Sequence, residues 1–180
     1  ASGTAGHGAE LAPYADLSHL GAVVTKSVCA DPWPGNPAPR VHEASGGMLN
    51  AVGLQGPGVA VWLADELPPL IDHGATVVAS IWGRSVDDYR RAADLLGDAP
   101  AEVVAVEVNL SCPNVEDRSG MFAHSAAATE AAMAATAGCG RPRWAKLSPN
   151  VGDLVPIVDA AMAGGAEAVT LVNTVMGMAI

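Results

Sequence analysis

Asn109-Leu110-Ser111-Cys112-Pro113-Asn114 sets two amides, a hydroxyl and a thiol side by side, directly after the apolar run that starts at Val103. A thiol has a reference pKa of about 8.5, far nearer neutrality than a serine hydroxyl, and nearby cations would lower it further. The asparagine amides can read donor and acceptor groups of a ligand together. Val104, Val106 and Val108 fall on one side of a period-two ribbon and Glu107 and Asn109 on the other. This alternation predicts a strand with one packed and one polar face, delivering Cys112 three residues past its end, where Pro113 fixes the turn. The competing reading of Cys112 is an inert buried thiol in a loop.

Four more apolar runs end in the same way. Lys26 and Ser27 close a strand at 21–27, Ser80 lies near the end of one at 75–83, Lys146 near the end of one at 143–148, and Asn173 ends one at 168–173. Two lysines, two asparagines and a thiol at one mouth suit a ligand with negative charge and hydrogen-bonding edges. No GxGxxG or GxxxxGK[ST] loop is present in the sequence, so neither dinucleotide nor Walker phosphate binding is indicated.

Helices must alternate with these strands. A helix is predicted from Pro57, with Val59, Trp62, Leu63, Leu67, Leu70 and Ile71 at helical spacing and Pro68 and Pro69 breaking or kinking it. Ser85 is placed to cap a helix whose apolar face is Tyr89, Ala92, Ala93 and Leu96. An alanine-rich helix covers 125–137, and Asp153 caps one carrying Leu154, Ile157, Val158, Ala161 and Met162, closed by Gly164-Gly165. The stretch from Asp31 to Leu54, with prolines at 32, 34, 37 and 39, reads as one long functional loop. Near-continuous apolar strands alternating with helices imply parallel βα units, either a doubly wound sheet or a (β/α)8 barrel. Polar residues gathered at the C-terminal ends of different strands favour the barrel, whose active sites are built there.

Composition narrows the function. The 180 residues are 50% hydrophobic, with 9 Lys and Arg against 19 Asp and Glu and a net charge of −10, which argues against a nucleic-acid partner. No apolar run is long enough for a membrane span and no signal pattern opens the chain, giving a cytoplasmic expectation with no membrane partner. Cys29, Cys112 and Cys139 lack the paired spacing of zinc ligands, so reduced thiols and no metal site are expected. His7 and His124 read as loop residues without a role.

Asn109-Leu110-Ser111-Cys112-Pro113-Asn114, Thr25-Lys26-Ser27, Gly35-Asn36-Pro37, Asn50-Ala51-Val52-Gly53-Leu54, Lys146-Leu147-Ser148-Pro149-Asn150 and Val172-Asn173-Thr174 together resemble class 1 dihydroorotate dehydrogenases, most closely the 1B type, across essentially the whole chain. The resemblance implies an FMN-dependent barrel domain over residues 1–180 that oxidises (S)-dihydroorotate to orotate in pyrimidine biosynthesis. It makes Cys112 the base that takes the C5 proton while hydride leaves C6 for the flavin. It matches Ser2, Lys26, Ser27, Ser80, Asn109, Lys146 and Val172 to FMN-contacting positions. Lys26, Asn50, Ala51, Val52, Gly53, Leu54, Asn109, Asn114, Asn173 and Thr174 match the substrate cradle.

The 1B resemblance, drawn from Gly47-Met48-Leu49-Asn50 and Leu147-Ser148-Pro149-Asn150-Val151, implies an electron-transfer partner subunit carrying FAD and a [2Fe-2S] cluster, NAD as final acceptor, and a homodimer within a heterotetramer. The alternatives are a fumarate-linked class 1A enzyme and an inactive barrel-derived binding module. Ser80 stands where the 1B type usually has asparagine, and Trp82 where a small residue is common. The chain opens at Ala1 without methionine and closes just after an apolar run. An incomplete barrel is therefore expected, without most of strand 1 and without strands 7–8, whose loops hold phosphate in such barrels, and with poor FMN retention as a result.

Overall fold

The computed structural model describes residues 1–112 and 120–178; Asn114 lies outside the described residues. Five strands form one parallel sheet: β1 (Val23–Val24), β4 (Val77–Ile81), β5 (Val103–Asn109), β6 (Arg143–Lys146) and β7 (Ala168–Thr170). Their spatial order is their chain order, and every neighbouring pair is parallel. A doubly wound sheet reverses direction at a switch point, whereas this order runs one way only, as in a barrel wall. The chain therefore forms part of an α/β barrel. Among the described residues no strand precedes β1, and 21–27 is paired at Val23–Val24 with a separate bridge from Val28 to Ile81.

The helices line up outside the sheet in the same sequence. Helix α1 (Val59–Val61) touches α3 (Val86–Leu95), α3 touches α4 (Ala126–Ala135), and α4 touches α5 (Val155–Ala163). Between α1 and α2 (Leu67–Asp72) the chain makes a π turn over Trp62–Glu66, so the regular α pattern is interrupted just before Pro68 and Pro69, as expected, while the chain stays helical. A proline lacks an N–H and crowds the preceding turn, and the wider π turn accommodates both. Trp62, Leu67 and Leu70 are buried on its inner face.

The expected caps and faces are present. Ser85 Oγ accepts from Asp88 N at 3.1 Å, and Tyr89, Ala92, Ala93 and Leu96 are all buried. Asp153 Oδ1 accepts from Val155 N at 3.0 Å, and Ile157 and Ala161 face the core. Met162, expected on that face, is exposed. Strand β5 departs from its simple alternation: a register shift against β4 leaves Val104 exposed, and beyond it both faces are buried. Helices cover one face, and the other is the barrel interior, so Glu107 and Asn109 are interior rather than solvated.

The stretch expected as one long loop contains a hairpin, β2 (Val41–Ala44) paired antiparallel with β3 (Gly47–Asn50). Ser45-Gly46 joins the strands, with Gly46 at a φ of 79° that the tight turn requires. The hairpin is largely exposed, so its residues carry no buried alternation for a sequence pattern to reveal.

Candidate active site

The strands deliver their polar ends to one cavity of about 540 Å³. That volume falls within the range of roughly 300–1,000 Å³ usual for small-molecule and cofactor sites. Lys26 and Ser27 reach it from the end of β1, Asn109 and Ser111 from β5, Lys146 from β6, and Asn173 and Thr174 from beyond β7. Ser2 with Gly3 and Thr4 closes one side. The opposite wall is the segment Asn50 to Leu54 together with Val41 and Met48 of the hairpin. That wall is pinned from behind: Asn36 Nδ2 donates to Ala51 O at 2.8 Å, Asn36 N to Val52 O at 3.0 Å, and Trp33 Nε1 to Gly53 O at 3.0 Å.

A continuous hydrogen-bonded row lies beneath the cavity. Ser80 Oγ donates to Glu107 Oε1 at 3.1 Å, and Ser27 and Ser80 hydroxyls are 2.8 Å apart. A hydroxyl has one proton, so Ser27 is the donor to Ser80. Ser27 then accepts from Asn109 Nδ2 at 3.3 Å and, by the same count, from Ser2 Oγ at 3.2 Å. Asn109 Oδ1 accepts from Asn173 Nδ2 at 3.1 Å and from Ser111 N at 3.2 Å, while Asn173 Oδ1 accepts from Thr174 N at 2.8 Å. Both amides are thereby fixed in orientation, which is how such groups discriminate ligands.

Cys112 is also beside this row, but not in the cavity wall. Its side chain is fully buried and donates to Asn109 O at 3.3 Å, an oxygen that also accepts from Tyr89 Oη at 2.7 Å. Burial pushes the thiol well above its usual range; the Tyr89 hydroxyl and, more weakly, Lys146 act in the opposite direction. The expectation that cations would lower it is thus corrected: desolvation outweighs them. Cys29 is likewise pushed up, to about 11, chiefly by burial. Lys26 is lowered by burial and by the like charge of Arg40.

Two residues matched to FMN-contacting positions do not line the cavity. Ser80 is fully buried, its hydroxyl between that of Ser27 and the Glu107 carboxylate. Val172 is 40% exposed, whereas the following Asn173 and Thr174 reach the cavity. Glu107 itself carried no sequence assignment, although a charge in an apolar strand marks it. His7 is partly buried with Nδ1 unpaired among the described residues, and burial lowers its pKa. Ser111 Oγ is buried without a partner among the described residues, directly on the cavity wall.

The described residues contain no cluster of metal-ligating side chains and no helix long and apolar enough to cross a membrane. A family model described as dihydroorotate dehydrogenase matches residues 1–180. The dihydroorotate dehydrogenase B (NAD(+)) catalytic subunit of Alkaliphilus oremlandii is 46% identical over 181 residues, spanning 100% of this chain and 59% of that protein. Dihydroorotate dehydrogenase A (fumarate) of Lactiplantibacillus plantarum is 45% identical over 184 residues, spanning 60% of its length. A solved structure of the Eimeria tenella dihydroorotate dehydrogenase in complex with ferulenol superimposes with a TM-score of 0.72 at 17% identity, covering 99% of this chain and 56% of that one, which shows the shared fold. The chain thus spans about 59% of the length of the Alkaliphilus relative.

Proposed function

Since the chain belongs to the dihydroorotate dehydrogenase family, we propose that the protein oxidises (S)-dihydroorotate to orotate in pyrimidine biosynthesis, with residues 1–180 as part of a single FMN-binding barrel domain. The observation that carries this reading is the cavity itself, where the strand ends bring two lysines, an oriented asparagine pair and Ser111 to one face. The donor set suits the cofactor and substrate. A flavin ring and a dihydroorotate ring both present imide-like edges that fixed amides can read, and a carboxylate and a phosphate both need cations. Lys26, Ser27, Asn109 and Lys146, with Ser2, would hold FMN; Asn50 to Leu54, Asn173 and Thr174, with Lys26 and Asn109, would hold the substrate. Asn114 is proposed with them on the sequence match alone. FMN, when bound, supplies the hydride acceptor.

Cys112 is the proposed base for the C5 proton. It follows directly on the cavity-wall residue Ser111 and lies three positions after Asn109, another. A thiolate held in a dry site is a stronger base than one in water, and the Tyr89 hydroxyl and Lys146 favour its formation against burial. Ser80 and Val172 are proposed as FMN-contacting positions on the sequence match alone. The names of the B-type relatives support an NAD-linked catalytic subunit; an electron-transfer partner carrying FAD and [2Fe-2S], a homodimer within a heterotetramer and a cytoplasmic place are proposed on the sequence resemblance alone.

The test is an anaerobic visible spectrum of the intact protein before and after dihydroorotate. Bleaching of a bound flavin band that is lost in Cys112→Ala, and recovered only at high pH in Cys112→Ser, is the expected result. A flavin that stays oxidised overturns the substrate; a protein that takes up no FMN overturns the reading as a whole. Re-oxidation by NAD through the partner, and not by fumarate, then separates the B type from the A type.

A further inference from the structure

The sequence contains two lysines, Lys26 and Lys146, and both line the cavity. Their surroundings differ. Lys146 is 7% exposed and its Nζ stands 3.8 Å from Oε1 of Glu107. Lys26 is half-buried, feels the like charge of Arg40, and makes no ion pair among the described residues.

Glu107 has almost no access to water, at 2% exposure. A buried carboxylate is unfavourable unless it is paired and hydrogen-bonded. Here three strands supply the partners. Ser80 of β4 donates to Oε1 at 3.1 Å, Thr170 of β7 donates to Oε2 at 3.0 Å, and Lys146 of β6 provides the charge. With both oxygens held by neutral hydroxyls, the carboxylate cannot swing away from the ammonium, and its place fixes where the ammonium rests.

We propose that Glu107 is a positioning residue for Lys146 and offsets its charge; the separate roles of the two lysines that follow belong to the family reading and not to this inference. Lys26 receives the standing negative charge of a bound ligand. Lys146 faces a ligand group that is neutral at rest and gains negative charge only as the reaction proceeds. An interaction that strengthens only along the reaction coordinate accelerates the chemical step, whereas one present throughout merely tightens binding. A compensated lysine also rejects stray anions that an isolated one would collect. This division rests on the flavin and dihydroorotate reading given above.

The pair is tested in the intact protein by acylating lysines with a small anhydride, with and without added FMN, and reading the Lys146 to Lys26 labelling ratio by peptide mass spectrometry. Lys26 is the internal reference, since general loosening labels both. In Glu107→Gln the ratio is expected to rise several-fold without FMN, and in Glu107→Asp, which keeps the charge, to stay close to the parent value. Orotate, an anionic probe, should bind Glu107→Gln more tightly than the parent, a direction that simple structural damage does not give. An unchanged ratio in Glu107→Gln, a parallel rise at both lysines, or an equal rise in both variants overturns the proposal. Should Glu107→Gln fail to fold, a several-fold rise in Glu107→Asp overturns it by itself. A parent protein that takes up no FMN counts against the proposed function, while the labelling ratio without FMN still reports on the pair.

Discussion

Tyr89→Phe separates the two effects that converge on Asn109 O. The substitution removes a fully buried O–H···O bond of 2.7 Å, along with the hydroxyl that faces the Gly83 N–H and the Cys112 thiol. The ring keeps its edge-on contact with Phe122, with centroids 5.1 Å apart and planes at 87°. Asn109 O keeps a second donor in Cys112 Sγ, so no buried acceptor is orphaned. A net hydrogen bond of this kind is worth about 1 kcal/mol, and that is the loss expected in a urea unfolding series. The same hydroxyl is the largest influence favouring the Cys112 thiolate. With the thiol protonated, Tyr89 donates to Asn109 O; once the proton leaves, it can turn to the sulfur. Phenylalanine cannot, so the thiol is expected to become still harder to ionise. Alkylation of Cys112 by iodoacetamide, followed by peptide mass spectrometry, should therefore be several-fold slower in the variant from about pH 7 to pH 9, since each unit of pKa is a factor of ten in thiolate. Cys29, pushed up to about 11 by its own burial, serves as the reference thiol. Equal or faster alkylation, or a stability loss above about 3 kcal/mol, would refute the reasoning, because the hydroxyl would then be acting through packing.

Anion binding should report Lys26. Its pKa lies below the ordinary 10.5, so its positive charge is complete at low pH and lost as pH rises through that lowered value. Orotate affinity is expected to begin falling at a lower pH than an exposed lysine would give, and Lys26→Gln should remove that limb in a spectral titration. Ser85→Ala deletes the acceptor for Asp88 N and should cost about 1 kcal/mol in chemical denaturation, with Ser85→Asp retaining most of it. Gly8→Ala places a methyl 2.6 Å from Val23 Cγ1 and 2.9 Å from Leu70 Cδ2 at a φ of 109°, and a loss of about 1–3 kcal/mol in the same assay is expected.

The sequence made the wall of the cavity legible because its residues obey local rules. Lys26, Asn109, Lys146 and Asn173 each end an apolar run, and parallel strands must bring such ends to one side. The features that escaped depend on what lies across the sheet. Glu107 reads as one polar residue in an apolar strand until Ser80, Thr170 and Lys146 are set around it from three other strands. The burial of Cys112 and its consequence for acidity follow from packing against Tyr89, 23 positions earlier in the sequence. The β2–β3 hairpin escaped for the opposite reason: with few buried residues, only Ser45-Gly46 advertised it. Pro68 and Pro69 announce an interruption of the helix, but not its form: the π turn over Trp62–Glu66 absorbs them and the chain stays helical to Asp72.

The one-way order of the parallel strands bears on how the chain reaches this structure during synthesis. Each strand of the parallel sheet pairs with the one before it in that sheet, and the outer helices α1, α3, α4 and α5 touch in that order. No segment has to be threaded between two that have already paired. The wall can therefore lengthen by one unit at a time from β1 onward, with each new unit docking against a surface already formed and covering apolar side chains that would otherwise invite aggregation. Among the described residues, Asn173 and Thr174 join the rim of the cavity only after β7 has docked.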